Sequence, residues 1–181
     1  MSDNSNTSIP ENQVDMNRLK NKNFPNISLP NQDGNSLNLH RLDTFRMVLY
    51  FYPMTGRPDR PLPDNWNNIP GAKGCTIQTC SFRDNYDEII SLNAVPIGIS
   101  SQSVDDNKEM TSRLKVPYDV LSDEKLELSN ELNIPTFLVD SKIFLRRITL
   151  IVEKKIIKKV FYPINDINKH IEEVLKWLKE N

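Results

Sequence analysis

The run Met47-Val48-Leu49-Tyr50-Phe51-Tyr52, closed by Pro53, is apolar at every position. A strand wetted on one side alternates apolar and polar residues, so this run reads as a strand buried on both faces. It demands a sheet with packed layers above and below, and the rest of the chain can supply one. Val95 to Ser100 reads as a second strand, with Pro96 near its start. Tyr118 to Leu121 is a short strand, and Ile148 to Val152 and Ile156 to Phe161 are two more, joined by a tight turn at Glu153-Lys154-Lys155. Phe24 to Leu29 and Ser36 to Leu39 flank Asn31-Gln32-Asp33-Gly34 and read as a hairpin. A helix is expected from Thr76 onward, with Ile77, Phe82, Tyr86, Ile89 and Ile90 as its apolar face. Val104 to Leu114 is polar but helical in tendency, and Ser122 or Asp123 caps a helix over Glu124 to Leu132. Ile164, Ile167, Ile171, Val174, Leu175 and Leu178 form one stripe of a closing amphipathic helix. The expectation is an α/β domain with a mixed central sheet flanked by helices.

With 181 residues, 38% of them hydrophobic, the chain suits one globular domain. Residues 1–22 are rich in Asn, Ser and Asp and read as a polar tail or loosely docked arm, leaving 23–181 as the domain. A formal net charge of −1 argues against nucleic acid or an acidic membrane surface as a partner. No basic and apolar leader opens the chain, and the longest apolar run is far short of the roughly 20 residues that span a bilayer. The expected location is the cytoplasm, where a cysteine pair is more often catalytic or metal-binding than a permanent bridge.

The two cysteines lie in Gly74-Cys75-Thr76-Ile77-Gln78-Thr79-Cys80, where a long proline-rich loop, residues 54–72, gives way to the first helix. A thiol at a helix start faces unpaired backbone N–H groups and the positive end of the macrodipole, which favour the thiolate. Cys75 is therefore a candidate reactive thiol, and Cys80 the group that could form a disulfide with it. Free cysteines are also among the most buried residue types, so packing is the plain alternative for both. A zinc site built on the pair lacks a second ligand pair, and no metal or other cofactor is expected. Trp66 is read as packing the long loop, and His40 and His170 as surface residues.

Taken together, Tyr50-Phe51-Tyr52-Pro53, Gly74-Cys75-Thr76, Cys80, Phe82-Arg83-Asp84 and Ile97-Gly98-Ile99-Ser100 resemble the peroxiredoxins, and the bacterioferritin-comigratory or Q-type branch most of all. Val116 to Asp123 is similar to that family's segment before its late helix, and Arg147 to Val152 to its arginine-bearing strand. The likeness runs in the family's order from about Phe24 to Leu178. It implies a thioredoxin fold and a thiol peroxidase that reduces hydrogen peroxide or organic hydroperoxides. It further implies Cys75 as peroxidatic cysteine, Cys80 as resolving cysteine, and Arg147 as active-site arginine. A thioredoxin-like or other dithiol would be the reductant, acting on a monomer or homodimer. Two departures stand out. Ala72 occupies the place where the family has Thr or Ser, and roughly fifteen residues are inserted between Pro53 and the cysteine segment. Thr55 is the candidate to fold back and supply the missing hydroxyl. The alternative function is a redox sensor or binding module on the same fold, with little turnover.

A thiol of ordinary pKa near 8.5 is about 3% ionised at pH 7, and one shifted to about 6 is about 90% ionised. Lower basicity costs nucleophilicity, so the net gain is only about a fewfold. Most of a peroxidase's rate must come from holding the peroxide in line and stabilising charge as the O–O bond breaks. The cysteine spacing adds a second expectation. Residues five apart in an unbroken helix are about 8.7 Å apart at Cα. A disulfide needs at most about 6.8 Å, so the helix start has to unwind for the pair to join.

Overall fold

The computed structural model describes residues 14–181, and the sheet demanded by the 47–52 run is at its centre. In chain order the strands and helices are β1 (Ser28–Pro30), β2 (Ser36–Asn38), β3 (Arg46–Phe51), α1 (Cys75–Asp84), α2 (Tyr86–Ser91), β4 (Ala94–Ser100), α3 (Val104–Leu114) and β5 (Val120–Ser122). They continue with α4 (Glu127–Glu131), β6 (Thr136–Val139), β7 (Lys142–Leu145), β8 (Ile148–Glu153), β9 (Ile156–Phe161) and α5 (Ile167–Glu180). The main sheet has the order β5-β4-β3-β8-β9. Strands β3, β4 and β5 are parallel, and β8 and β9 are antiparallel additions.

Every residue of β3 is buried, and the strand's period of two divides its side chains between two cores. Met47, Leu49 and Phe51 enter one core with Ile97, Ile99, Leu150, Leu128 of α4 and residues of the N-terminal segment. Val48 and Tyr50, followed by Tyr52, enter the other with Cys75 and Phe82 of α1, Met110 of α3, and Ile171, Val174 and Leu175 of α5. Fully burying one such side chain stabilises the fold by about 1.5–3 kcal/mol, so each face of β3 helps to fix the sheet's register.

Several expectations shift. Residues 1–13 of the expected tail lie outside the described residues. After Asp15, Met16–Leu19 form a 3₁₀ turn whose Met16 and Leu19 are buried in the first core. Backbone bonds from Asn21 to Ile157 and from Phe24 to Lys155 tie this arm to β9 and its turn. Two apolar residues three apart dock it together with these bonds and with Arg18 Nη2, which donates to the carbonyls of Leu132 and Asn133. The helix expected over 124–132 begins later, at Glu127. The Asp123 carboxylate nonetheless accepts from the N–H groups of Leu128 and Ser129, as a cap does. The helix expected from Thr76 onward is divided into α1 and α2; Ile77 of α1 and Ile90 of α2 are exposed, and the buried positions of α1 are Cys75, Gln78, Thr79 and Phe82.

The long loop does not stand alone. Trp66 is buried against Phe144 (ring centroids 4.9 Å apart) and Phe137 (5.9 Å), side chains of the β6–β7 hairpin, with Ala72 in the same cluster. That hairpin was not anticipated from the sequence, and its turn at Asp140 and Ser141 has positive φ at both residues.

His170 is also corrected, since it is buried rather than at the surface. Its Nε2 shares a 2.8 Å hydrogen bond with Thr149 Oγ1, and its ring lies edge-on to Phe82 and Phe161. Burial holds its pKa below the usual 6.5, against the opposing pull of Glu173, so the ring stays neutral in the fold. As pH falls through about 6.5 the unfolded chain takes up a proton that the folded chain refuses, and stability is lost downward from there. The loss at pH 5.5 is at most about 1.4 kcal/mol for one such histidine. Urea unfolding at pH 7.5 and 5.5 should show this decrement in the wild type and a smaller one in His170→Gln. Equal decrements in both would count against it.

Candidate active site

Cys75 is the first residue of α1, and Gly74 before it adopts the left-handed region at φ 102°. A side chain at Gly74 would be strained there, and its Cβ would clash with Ile167 Cδ1 of α5. Gly74 offers no side-chain cap, so the first N–H groups of α1 have neither an intrahelical acceptor nor a capping oxygen from it. They give the end of α1 that carries Cys75 a positive partial charge.

Arg147 completes the arrangement from the start of β8. Its side chain is almost wholly buried, and Nη2 donates to Cys75 Sγ at 3.2 Å. The same nitrogen faces the carbonyls of Gly71 and Lys73, each at 3.2 Å, so the guanidinium also braces the loop that leads into α1. Nη1 donates to Gln78 Oε1 at 2.5 Å. β3 and β8 pair antiparallel with Phe51 opposite Ile148, which places Arg147 at the end of the sheet where β3 runs out into Pro53. As a thiol, Cys75 Sγ donates to the Ala72 carbonyl at 3.5 Å. The residue is only 2% exposed, so a bulky partner cannot reach the sulfur while α1 is intact.

Cys80 is half-buried on the same helix, about 140° around the axis from Cys75. Both cysteines are free. The helix between them is tethered from below. Tyr118 Oη donates to the Thr79 carbonyl at 2.9 Å and shares a 2.9 Å bond with Tyr50 Oη. Tyr50 stacks on Phe82 at 4.5 Å, and the bare Cα of Gly98 makes room for its phenol. Burial pushes both phenols above their usual pKa, so they act as neutral hydrogen-bonding groups.

Of the four residues singled out in the sequence, the structure brings Cys75 and Arg147 into contact, and Cys80 shares the helix of Cys75. Thr55 is placed differently. It is buried, its hydroxyl donates to Gln102 Oε1 at 3.3 Å, and its backbone exchanges two further bonds with the Gln102 amide. Its hydroxyl is thus engaged by Gln102 rather than by the thiol. Thr55 lines a cleft of about 590 Å³ between the long loop and β7. Sequence reasoning missed Gln78, which sits one turn after Cys75 on the buried face of α1. A lone amide three residues after the cysteine was the available signal.

Comparison with known proteins places the chain in a family. The family model Redoxin matches residues 19–175. Chloroplastic peroxiredoxin Q of Populus jackii is 30% identical over 156 residues, which cover 86% of this chain and 65% of that protein. Chloroplastic peroxiredoxin Q of Sedum lineare is 30% identical over 156 residues, 86% of this chain and 75% of that protein. The chain spans just under two thirds of the length of the first curated relatives it matches. Among solved structures, peroxidoxin BcpB from Mycobacterium tuberculosis superposes with a TM-score of 0.73 at 22% identity, covering 89% of this chain and 96% of that one. PrxQ of Xylella fastidiosa does so with a TM-score of 0.69 at 21% identity, covering 87% and 90%. These likenesses show the thioredoxin fold of peroxiredoxins. The chain belongs to the redoxin family, among the peroxiredoxins of the Q and bacterioferritin-comigratory type.

Proposed function

We propose that the protein is a thiol peroxidase in which Cys75 reduces hydrogen peroxide or organic hydroperoxides and Cys80 resolves the product. The observation that carries this reading is the 3.2 Å contact from the Arg147 guanidinium to a sulfur at the start of α1. A fixed cation and the first helical amides stabilise a thiolate and also the charge that grows on oxygen as the peroxide bond breaks. Organic hydroperoxides belong in the reading because a solved structure of the Xanthomonas campestris bacterioferritin comigratory protein is described with alkyl peroxide reduction activity.

In the first step the Cys75 thiolate attacks the terminal peroxide oxygen. The S–O bond forms, the O–O bond breaks, and the departing oxygen takes a proton to leave as water or an alcohol. Sulfur is left as a sulfenic acid, oxidised by two electrons. The Cys80 thiolate then attacks that sulfur, hydroxide leaves and is protonated to water, and a disulfide remains. An external dithiol, of the thioredoxin kind, exchanges with the disulfide and returns both thiols.

The second step needs α1 to open, because the helix is continuous through both cysteines and Thr79 is tethered by Tyr118. Amide exchange over residues 75–84 should therefore rise when the protein is oxidised by one equivalent of peroxide, and Cys80→Ser should abolish that rise. Equal protection in the reduced and oxidised states would contradict the opening. The function itself is tested by peroxide consumption with a thioredoxin or dithiothreitol supply. Sustained turnover supports a peroxidase. A single stoichiometric oxidation without turnover would favour a redox sensor instead.

A further inference from the structure

The carboxamide of Gln78 is a buried group at this site with a donor left over, as is the Nε of Arg147. Gln78 is 1% exposed, and its Nε2 has no hydrogen-bond partner among the described residues. Its orientation is not ambiguous. A guanidinium has donors only, so the atom that meets Arg147 Nη1 at 2.5 Å has to be the amide oxygen. The amide nitrogen then points elsewhere, and leaving a buried donor unmatched costs about 1–3 kcal/mol. Buried groups of this kind mark either a strained compromise or a place kept for a ligand.

Three facts favour a ligand beside the sulfur. Gln78 follows Cys75 by one turn, so the two side chains lie on the same face of α1. One guanidinium holds both of them, Nη1 on the amide and Nη2 on the sulfur. The threonine or serine hydroxyl expected at position 72 is missing, because that position is alanine, and the Thr55 hydroxyl is engaged by Gln102.

We propose that Gln78 Nε2 donates a hydrogen bond to a peroxide oxygen bound against Cys75, as a catalytic residue of the peroxidase reaction. This rests on the peroxidase reading above and deepens it. The amide moves no proton. It holds the oxidant in line with the sulfur and, together with Arg147, stabilises negative charge on oxygen during O–O cleavage.

The decisive variant is Gln78→Glu, which keeps an oxygen acceptor for Arg147 and removes the donor. Gln78→Met, which removes both, is the companion. Two rates are measured on each reduced protein across pH: oxidation by hydrogen peroxide, and alkylation by iodoacetamide, which needs the thiolate but no donor to a peroxide. Comparison is made where alkylation has reached its plateau, so that an altered thiolate fraction is removed from the result. Both variants are expected to lose roughly tenfold or more in peroxide rate, a lower range than that for loss of a main oxyanion donor, with plateau alkylation within about threefold of wild type. A Glu variant that keeps its peroxide rate while the Met variant loses it would reduce Gln78 to positioning Arg147 and overturn the proposal. So would parallel losses in both plateau rates, or an unchanged peroxide rate in Gln78→Met. A wild type that reacts with iodoacetamide but not with peroxide would overturn the peroxidase reading itself, and this assignment with it.

Discussion

Cys75→Ser is expected to bring peroxide consumption down close to the level of the buffer blank, a fall of at least about a thousandfold, because the remaining thiol, Cys80, lacks the Arg147 contact that stabilises the departing oxygen. A serine hydroxyl is not ionised near neutral pH and forms no stable oxidised counterpart. The fold should hardly notice. The hydroxyl can still donate to the Ala72 carbonyl and accept from Arg147, the two contacts that the sulfur makes. Chemistry and packing are therefore separable at this position, and thermal unfolding measured on the same sample checks the second. Turnover above about one per cent of wild type, with the fold intact, would remove Cys75 from the mechanism.

Arg147→Met should cost about a hundredfold to a thousandfold in kcat/KM for hydrogen peroxide, the range seen when one donor to a developing oxyanion is removed. The effect has two physical sources. The cation next to the sulfur disappears, and the carbonyls of Gly71 and Lys73 lose the group that braces the entry to α1. Arg147→Lys separates them. It keeps the charge, but a single ammonium cannot span the sulfur, two carbonyls and the Gln78 amide as the planar fork does. We expect it to recover only part of the loss, remaining at least about tenfold below wild type. Stopped-flow oxidation of the reduced protein gives these rates directly. A Met variant within threefold of wild type would show that the guanidinium is structural only.

Much of the fold was legible because its signals were long. Six consecutive apolar residues at 47–52 required a central strand, and the stripe from Ile167 to Leu178 required a helix packed on a sheet. The short elements were not legible. The β6–β7 hairpin reads as one apolar stretch broken by Asp140-Ser141, a pair without the glycine that usually marks such a turn. Met16 and Leu19 carry their burial in a segment whose average composition is polar. At the site, Cys75 and Arg147 are 72 positions apart, and only a family likeness or a fold could join them. Gln78 and His170 were hidden for a different reason. Each is a polar residue on the buried face of a helix, and what such a residue does depends on its tertiary partner.

The packing of Trp66 gives the molecule an optical gauge of its own. This indole is enclosed by Phe137 and Phe144 and shares its cluster with Ala72, whose carbonyl meets the reactive thiol. Trp177, the other tryptophan, is half-buried on α5 and packs against the core on the far side of β3 from Leu49. A shift of residues 70–74 as α1 opens reaches Trp66 through Ala72, and the same opening disturbs the core of Cys75 and Phe82 on which Trp177 packs, so tryptophan emission is expected to follow each oxidation and reduction cycle without a label.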